Sequence, residues 1–193
     1  MKRYRIALVG APNSGKTTLF NLLTGARQHV GNWPGVTVEK KEGYFSYKNY
    51  NFEVIDLPGI YSLTPNSIEE KIARNFIIES KPDLIINIVD GTTLERSLYL
   101  TTQLIDTHSR IILAINMYDE MKEKGIVVDF KKLHALLKFP VLPIIAKNSW
   151  GIDGLLEAII TELEANPLDR IHINYGEDIE KAITEIECEL KSC

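Results

Sequence analysis

Apolar residues in this chain fall into short dense runs, and longer stretches with helical spacing separate them. The runs at 5–9, 37–47, 51–56, 84–90, 110–116 and 141–145 are too short for buried helices and rich in Ile, Val and Leu, so they predict strands. Stretches 16–24, 67–79, 94–107, 117–124, 130–137 and 152–165 repeat their apolar residues every three to four positions and predict helices. Lys48-Asn49 suits a tight turn, which makes the second and third strands an antiparallel hairpin. The remaining alternation of strand and helix predicts an α/β architecture: a six-stranded, mostly parallel sheet flanked by helices. Most of these strands carry a polar residue, Gly or Pro just past their C-terminal end, at the edge where open α/β sheets bind ligands.

Two segments break the pattern. Residues 26–36 hold two Gly, a Pro and a Trp, and residues 57–66 hold two Pro and a Gly; both read as mobile loops. Past Asn166-Pro167 the pattern changes again. From Glu177 the chain is acidic, with Ile179, Ile183, Ile186 and Leu190 at helical spacing, which predicts a helical extension whose apolar stripe needs a partner. The division expected is therefore 1–166 for the α/β domain and 167–193 for the start of a helical domain or a linker helix.

Composition narrows the class. Of 193 residues, 45% are hydrophobic and 25% charged, as in an ordinary globular domain, and the net charge of −4 with no basic block argues against nucleic acid as a partner. Met1-Lys2-Arg3-Tyr4-Arg5 runs straight into the first strand, which leaves no room for a leader, and no run approaches the ~20 apolar residues of a membrane span. The chain as given is expected to be soluble. Cys188 and Cys193 lack metal-ligand spacing and read as free thiols. His29, His108, His134 and His172 share no spacing that suggests an iron or zinc site.

The chemistry begins after the first strand. Gly10-Ala11-Pro12-Asn13-Ser14-Gly15-Lys16-Thr17 matches G-x-x-x-x-G-K-[ST], followed by Thr18 on the entering helix. Such a loop curls backbone amides around a polyphosphate at a helix N-terminus, with Lys16 on the β- and γ-phosphates and the Thr17 hydroxyl on Mg²⁺. Asp56-Leu57-Pro58-Gly59 ends the third strand; Asp56 would hold Mg²⁺ through a water, and the Gly59 amide would face the γ-phosphate. Asn116-Met117-Tyr118-Asp119 ends the fifth. Asp119 can accept from guanine N1–H and the 2-amino group, donors that adenine lacks, while Met117 stands where the commoner Asn-Lys-x-Asp form has Lys and can cover the base face. Ala146, next to Lys147, would offer its amide to guanine O6. Thr37 in the loop after the first helix, with Gly35 and Val36 before it, can complete the Mg²⁺ shell.

In this order the elements resemble a Ras-like, TRAFAC-class P-loop GTPase over residues 5 to about 165. The segments Gly10–Asn21 and Val30-Gly31-Asn32-Trp33-Pro34-Gly35-Val36-Thr37-Val38-Glu39 more specifically resemble the N-terminal G domain of the FeoB family of ferrous-iron transporters. That resemblance implies GTP and GDP as ligands and Mg²⁺ as cofactor. It implies a membrane-spanning region of the same transporter as partner and a place on the cytoplasmic face of the membrane, and it makes the acidic helix the start of a helical domain. It leaves a homo-oligomer open.

Where relatives carry a water-orienting Gln after D-x-x-G, this chain has Ile60, so either another group orients the water or turnover is slow. Glu69 and Glu70 are candidates that also suit the solvated first turn of a helix; backbone groups of the 30–37 loop are another source. Asn13 can shape the loop by bonding amides, or it can offer its amide oxygen to a K⁺ bridging the phosphates. Resemblance implies the second, with carbonyls of Gly31 and Trp33 completing the shell. An Era-like GTPase of ribosome assembly shares the P-N-x-G-K-[ST]-T-L-x-N loop and is the alternative, although such proteins usually add a basic domain. A scaffold that binds GTP without hydrolysing it is a third reading.

Overall fold

The computed structural model describes residues 2–165 and 173–191. Seven strands form one sheet: β1 (Lys2–Gly10), β2 (Gln28–Asn32), β3 (Glu39–Tyr47), β4 (Tyr50–Asp56), β5 (Leu84–Asp90), β6 (Ile111–Asn116) and β7 (Val141–Pro143). Their spatial order is β2-β3-β4-β1-β5-β6-β7. The β2/β3 and β3/β4 pairs are antiparallel, and every other pair is parallel. The helices are α1 (Lys16–Thr24), α2 (Ile68–Asn75), α3 (Leu94–Asp106), α4 (Tyr118–Glu123), α5 (Phe130–Leu137), α6 (Ile152–Glu164) and α7 (Glu177–Lys191).

The inner stretches of the central strands, 6–9 of β1, 84–89 of β5 and 111–115 of β6, are apolar apart from Asn87 because both faces are covered. Along β1, Ile6 and Leu8 pack with Leu19 and Phe20 of α1 and Leu155 and Ile159 of α6. Ala7 and Val9, between them, face Ala73, Leu100 and Leu104 on the α2 and α3 side. One buried polar link crosses this core: Asn87 donates to the Val9 carbonyl at 3.3 Å and accepts from the Thr101 hydroxyl at 2.6 Å. At the far edge, Lys48 and the Tyr47 hydroxyl donate to Glu157 of α6, and these bonds hold the Glu157 carboxyl below the ordinary glutamate range.

Three expectations need correction. The sheet has seven strands rather than six, because 28–32, expected within a mobile loop, pairs with β3 in register Gln28↔Gly43 to Asn32↔Glu39. Gln28 further ties the segment to Gly25 and Asn21 at 2.7 and 3.0 Å. The next strand starts at Glu39, not Thr37, because the Trp33 N–H bonds the Val38 carbonyl at 2.9 Å and closes a turn over 33–38. The helix expected over 67–79 is α helical only to Asn75 and continues as a π-helical turn, Phe76–Ser80.

The acidic helix past Tyr175 is present as α7, and Ile179, Ile183, Ile186 and Leu190 are exposed on it. Its lead-in packs Ile173 against the α3 side of the core, and the Tyr175 hydroxyl donates to Asp106, which raises the Tyr175 pKa above that of an ordinary phenol. The expected boundary at 166/167, His172 and Cys193 lie outside the described residues. Among those residues no helix is long and apolar enough to cross a membrane.

Candidate functional site

The sheet's neighbours change direction at β1: β4 lies on one side of it and β5 on the other, so a crevice opens where β1 ends. Residues 10–17 occupy that crevice. Asn13 (φ 64°) and Gly15 (φ 92°) take left-handed conformations that curl the chain back before α1 begins. No side chain among the described residues caps the α1 N-terminus, so its first amides and the positive end of its dipole meet the crevice uncapped. Close approach demands the glycines. A Cβ on Gly10 would stand 2.3 Å from the Ile88 carbonyl oxygen, and one on Gly15 would stand 2.0 Å from Asn116 Nδ2.

Asp56 faces the loop from the end of β4. It takes a charge-assisted hydrogen bond from Lys16 Nζ, and its other oxygen accepts from Thr17 Oγ1 at 3.1 Å. The next residues bend back towards the loop. Leu57 N–H bonds the Leu8 carbonyl at 3.2 Å and Ile60 N–H bonds the Gly10 carbonyl at 3.0 Å. Gly59 passes so close that a Cβ there would lie 3.0 Å from Pro12 N. Ile60 is 2% exposed and packs in the α3-side core, so its side chain is not presented to the crevice.

The third wall comes from the ends of β6 and β7. Asn116, 5% exposed, donates from Nδ2 to the Ser14 carbonyl at 2.9 Å and accepts at Oδ1 from the Ala146 N–H at 2.9 Å. One side chain therefore joins the phosphate-type loop to the loop after β7. Met117 (φ 60°) turns the chain into α4, and Asp119 on its first turn is exposed along the cleft. The cleft bounded by these loops has a volume of about 630 Å³.

Most of the expected residues meet there. Ala11, Pro12, Asn13, Gly15, Lys16, Thr17 and Thr18 line the cleft, with Gly59 on one side and Asn116, Met117, Asp119, Ala146 and Lys147 on the other. Gly10, Ser14, Asp56, Leu57 and Pro58 do not line it, and the Ser14 hydroxyl is buried with no hydrogen-bond partner among the described residues. The Ala146 amide, expected on guanine O6, donates to Asn116 in this structure, because the Asn116 side chain lies across both loops.

The 31–37 group does not join the lining. Thr37 is exposed in the turn before β3, beside Gly35 and Val36. Gly31 is paired opposite Lys40, and the Trp33 carbonyl accepts from Val36 N–H at 3.2 Å. Trp33, in a segment expected to be a mobile loop, is 8% exposed and meets Phe76 edge-on at 5.6 Å. Glu70 is occupied in a capping box with Ser67, the helix-start role that its position also suited. Two cleft residues were not anticipated, Glu120 and Ile145. Glu120 follows Asp119 in the same helical turn, and Ile145 lies just before Ala146, so adjacency was the signal available for both.

A glycine-bounded loop at the switch point of the sheet, an aspartate paired to its Lys and Thr, and an Asn/Asp wall opposite define a Ras-like P-loop GTPase domain. Residues 4–159 match the family described as Ferrous iron transport protein B. The chain belongs to that family. It is 50% identical over 186 residues to the Fe(2+) transporter FeoB of Methanocaldococcus jannaschii, covering 96% of this chain and 28% of that protein. It is 46% identical over 182 residues to the Fe(2+) transport protein A/Fe(2+) transporter FeoB fusion protein of Porphyromonas gingivalis, covering 93% of this chain and 22% of that one. The chain thus spans less than a third of these relatives. The cytosolic domain of the T. maritima FeoB iron transporter superposes with a TM-score of 0.93 in a GDP form, at 43% identity over 98% of this chain and 75% of that one. In its GMPPNP form the TM-score is 0.90, at 43% identity over 97% and 74%. The Era-like alternative finds no support among these relatives.

Proposed function

We propose that this chain is the guanine-nucleotide-binding, GTP-hydrolysing module of a ferrous-iron membrane transporter, held at the cytoplasmic face of the membrane by the rest of that protein. The observation that carries the nucleotide reading is the Asn116 link, which fixes the distance between the phosphate loop and the wall bearing Asp119. The GDP and GMPPNP forms of the T. maritima relative support guanine as the base.

In this reading the α1 amides and Lys16 bind the β- and γ-phosphates, and Asp119 accepts from the base. Thr17 Oγ1 and the Asp56 carboxylate are adjacent hard oxygen donors of the kind Mg²⁺ takes, so the donor set fits that ion. Mg²⁺ bound there would neutralise phosphate charge, and Thr37 would reach it only after its loop folds towards the cleft. Ile60 packs in the core and Glu70 is held in a helix cap, so neither side chain is placed to orient the attacking water, which supports slow turnover. K⁺ stimulation rests on Asn13 at the cleft; Gly31 and Trp33 stand away from the lining, and their carbonyls, like Thr37, would reach the ion only after that loop folds towards the cleft.

The test is Asp119→Asn. Exchanging a carboxylate acceptor for an amide should weaken GTP at least tenfold and favour xanthine nucleotides, measured by competition against a fluorescent nucleotide. A variant that keeps the parent's preference for GTP over XTP contradicts this role for Asp119.

A further inference from the structure

Just past the loop that carries Ala146, the chain reverses sharply. Ser149 (φ 64°) and Gly151 (φ 82°) take left-handed conformations on either side of Trp150. A Cβ on Gly151 would lie 2.6 Å from the Pro143 carbonyl oxygen, so the reversal closes tightly against the end of β7. Inside it Ile145 and Trp150 exchange backbone hydrogen bonds of 3.0 and 3.2 Å.

Trp150 is 46% exposed and belongs to none of the three apolar clusters found among the described residues. It stacks on Tyr118, with centroids 5.4 Å apart and planes 18° from parallel. Lys122, one turn along α4, places its ammonium 4.3 Å from the Tyr118 centroid and 5.9 Å from that of Trp150. Phe130 meets Tyr118 edge-on at 5.6 Å. Tyr118 stands between Asn116 and Asp119, and Trp150 stands four residues after Ala146. The stack is thus a second tie between the two base-facing loops, on the outside, where Asn116 is the inner one.

We propose that Trp150, stacked on Tyr118 and capped by Lys122, is a positioning residue that locks the 145–150 loop onto the Asn116–Asp119 turn and sets how long a guanine nucleotide stays bound. This rests on the guanine reading above. Loosening the outer tie lets the loop swing from the base edge while the phosphate contacts stay intact. The effect falls on dissociation, and association is left alone.

The experiment uses the whole chain with Trp150→Ala, Trp150→Phe, Tyr118→Ala and the Trp150→Ala/Tyr118→Ala double variant. Release of mant-GDP into excess GDP is followed by stopped flow, and hydrogen exchange at 145–150 is measured without nucleotide. Trp150→Ala should release mant-GDP about fivefold faster (~1 kcal/mol at 1.4 kcal/mol per decade) and speed exchange in that loop. Trp150→Phe should stay within about twofold of the parent, and the double variant should be no faster than Tyr118→Ala, because without Tyr118 the Trp150 ring has no stack left to lose. Unchanged loop exchange, or equal release from Trp150→Ala and the parent, overturns the proposal. A parent that holds ADP as tightly as GDP overturns the guanine reading instead, and the exchange measurement still judges the lock.

Discussion

Replacing Asn116 with Ala removes the side chain that joins the two walls of the cleft. Both of its hydrogen bonds measure 2.9 Å, and their other ends, the Ser14 carbonyl and the Ala146 N–H, belong to buried residues. An unsatisfied buried group costs ~1–3 kcal/mol, so two of them give a destabilisation of roughly 2–6 kcal/mol. Domains of this size have total stabilities of about 5–15 kcal/mol, so the loss is a large fraction of the whole. It should lower the melting midpoint by at least roughly 4 °C. Urea unfolding followed by far-UV circular dichroism, without nucleotide, measures this directly: the midpoint should fall at constant slope. GDP affinity should fall as well, because the loops lose their fixed spacing. A variant within about 0.5 kcal/mol of the parent would show that the Asn116 link does not hold the site together, and the reasoning would fail.

Thr37→Ala should leave GDP affinity near the parent's while slowing hydrolysis. In the parent, hydrogen exchange over 33–38 and 57–66 should differ between GDP and a γ-phosphate analogue with Mg²⁺; identical exchange would mean these loops are not switches. Turnover should rise about tenfold in K⁺ relative to Na⁺, ~1.4 kcal/mol off the barrier, and Asn13→Ala should abolish the difference with GDP affinity nearly intact. Equal rates in matched buffers would reject a role for the cation.

What could be read from the sequence was whatever a local rule dictates. The inner stretches of β1, β5 and β6 are dense in Ile, Val and Leu because helices cover both faces, and no neighbour need be known to see it. The phosphate loop, Asp56-Leu57-Pro58-Gly59 and the Asn116 turn are legible because amide cradles and carboxylate acceptors restrict residue type at fixed spacing. Strand β2 was not legible. Its residues are nearly all exposed, so no alternation marks it, and its conformation comes from pairing with β3. The segment around Trp33 looked like a mobile loop from its Gly and Pro, but Trp33 packs on Phe76, far along the chain. The Asn116 bridge and the Tyr118–Trp150 stack join residues that only the sheet order brings together. The apolar stripe of α7 was visible from its spacing, as residue type alone determines it.

The central claim, a guanine-specific cleft between the phosphate loop and the Asn116–Asp119 wall, is tested most directly by calorimetric titration of the chain with GTP and with ATP in Mg²⁺ buffer. The account predicts that GTP binds at least a hundredfold tighter than ATP, about 2.7 kcal/mol or more, because adenine leaves the Asp119 carboxylate without its two donors. Equal affinities for the two nucleotides would contradict it.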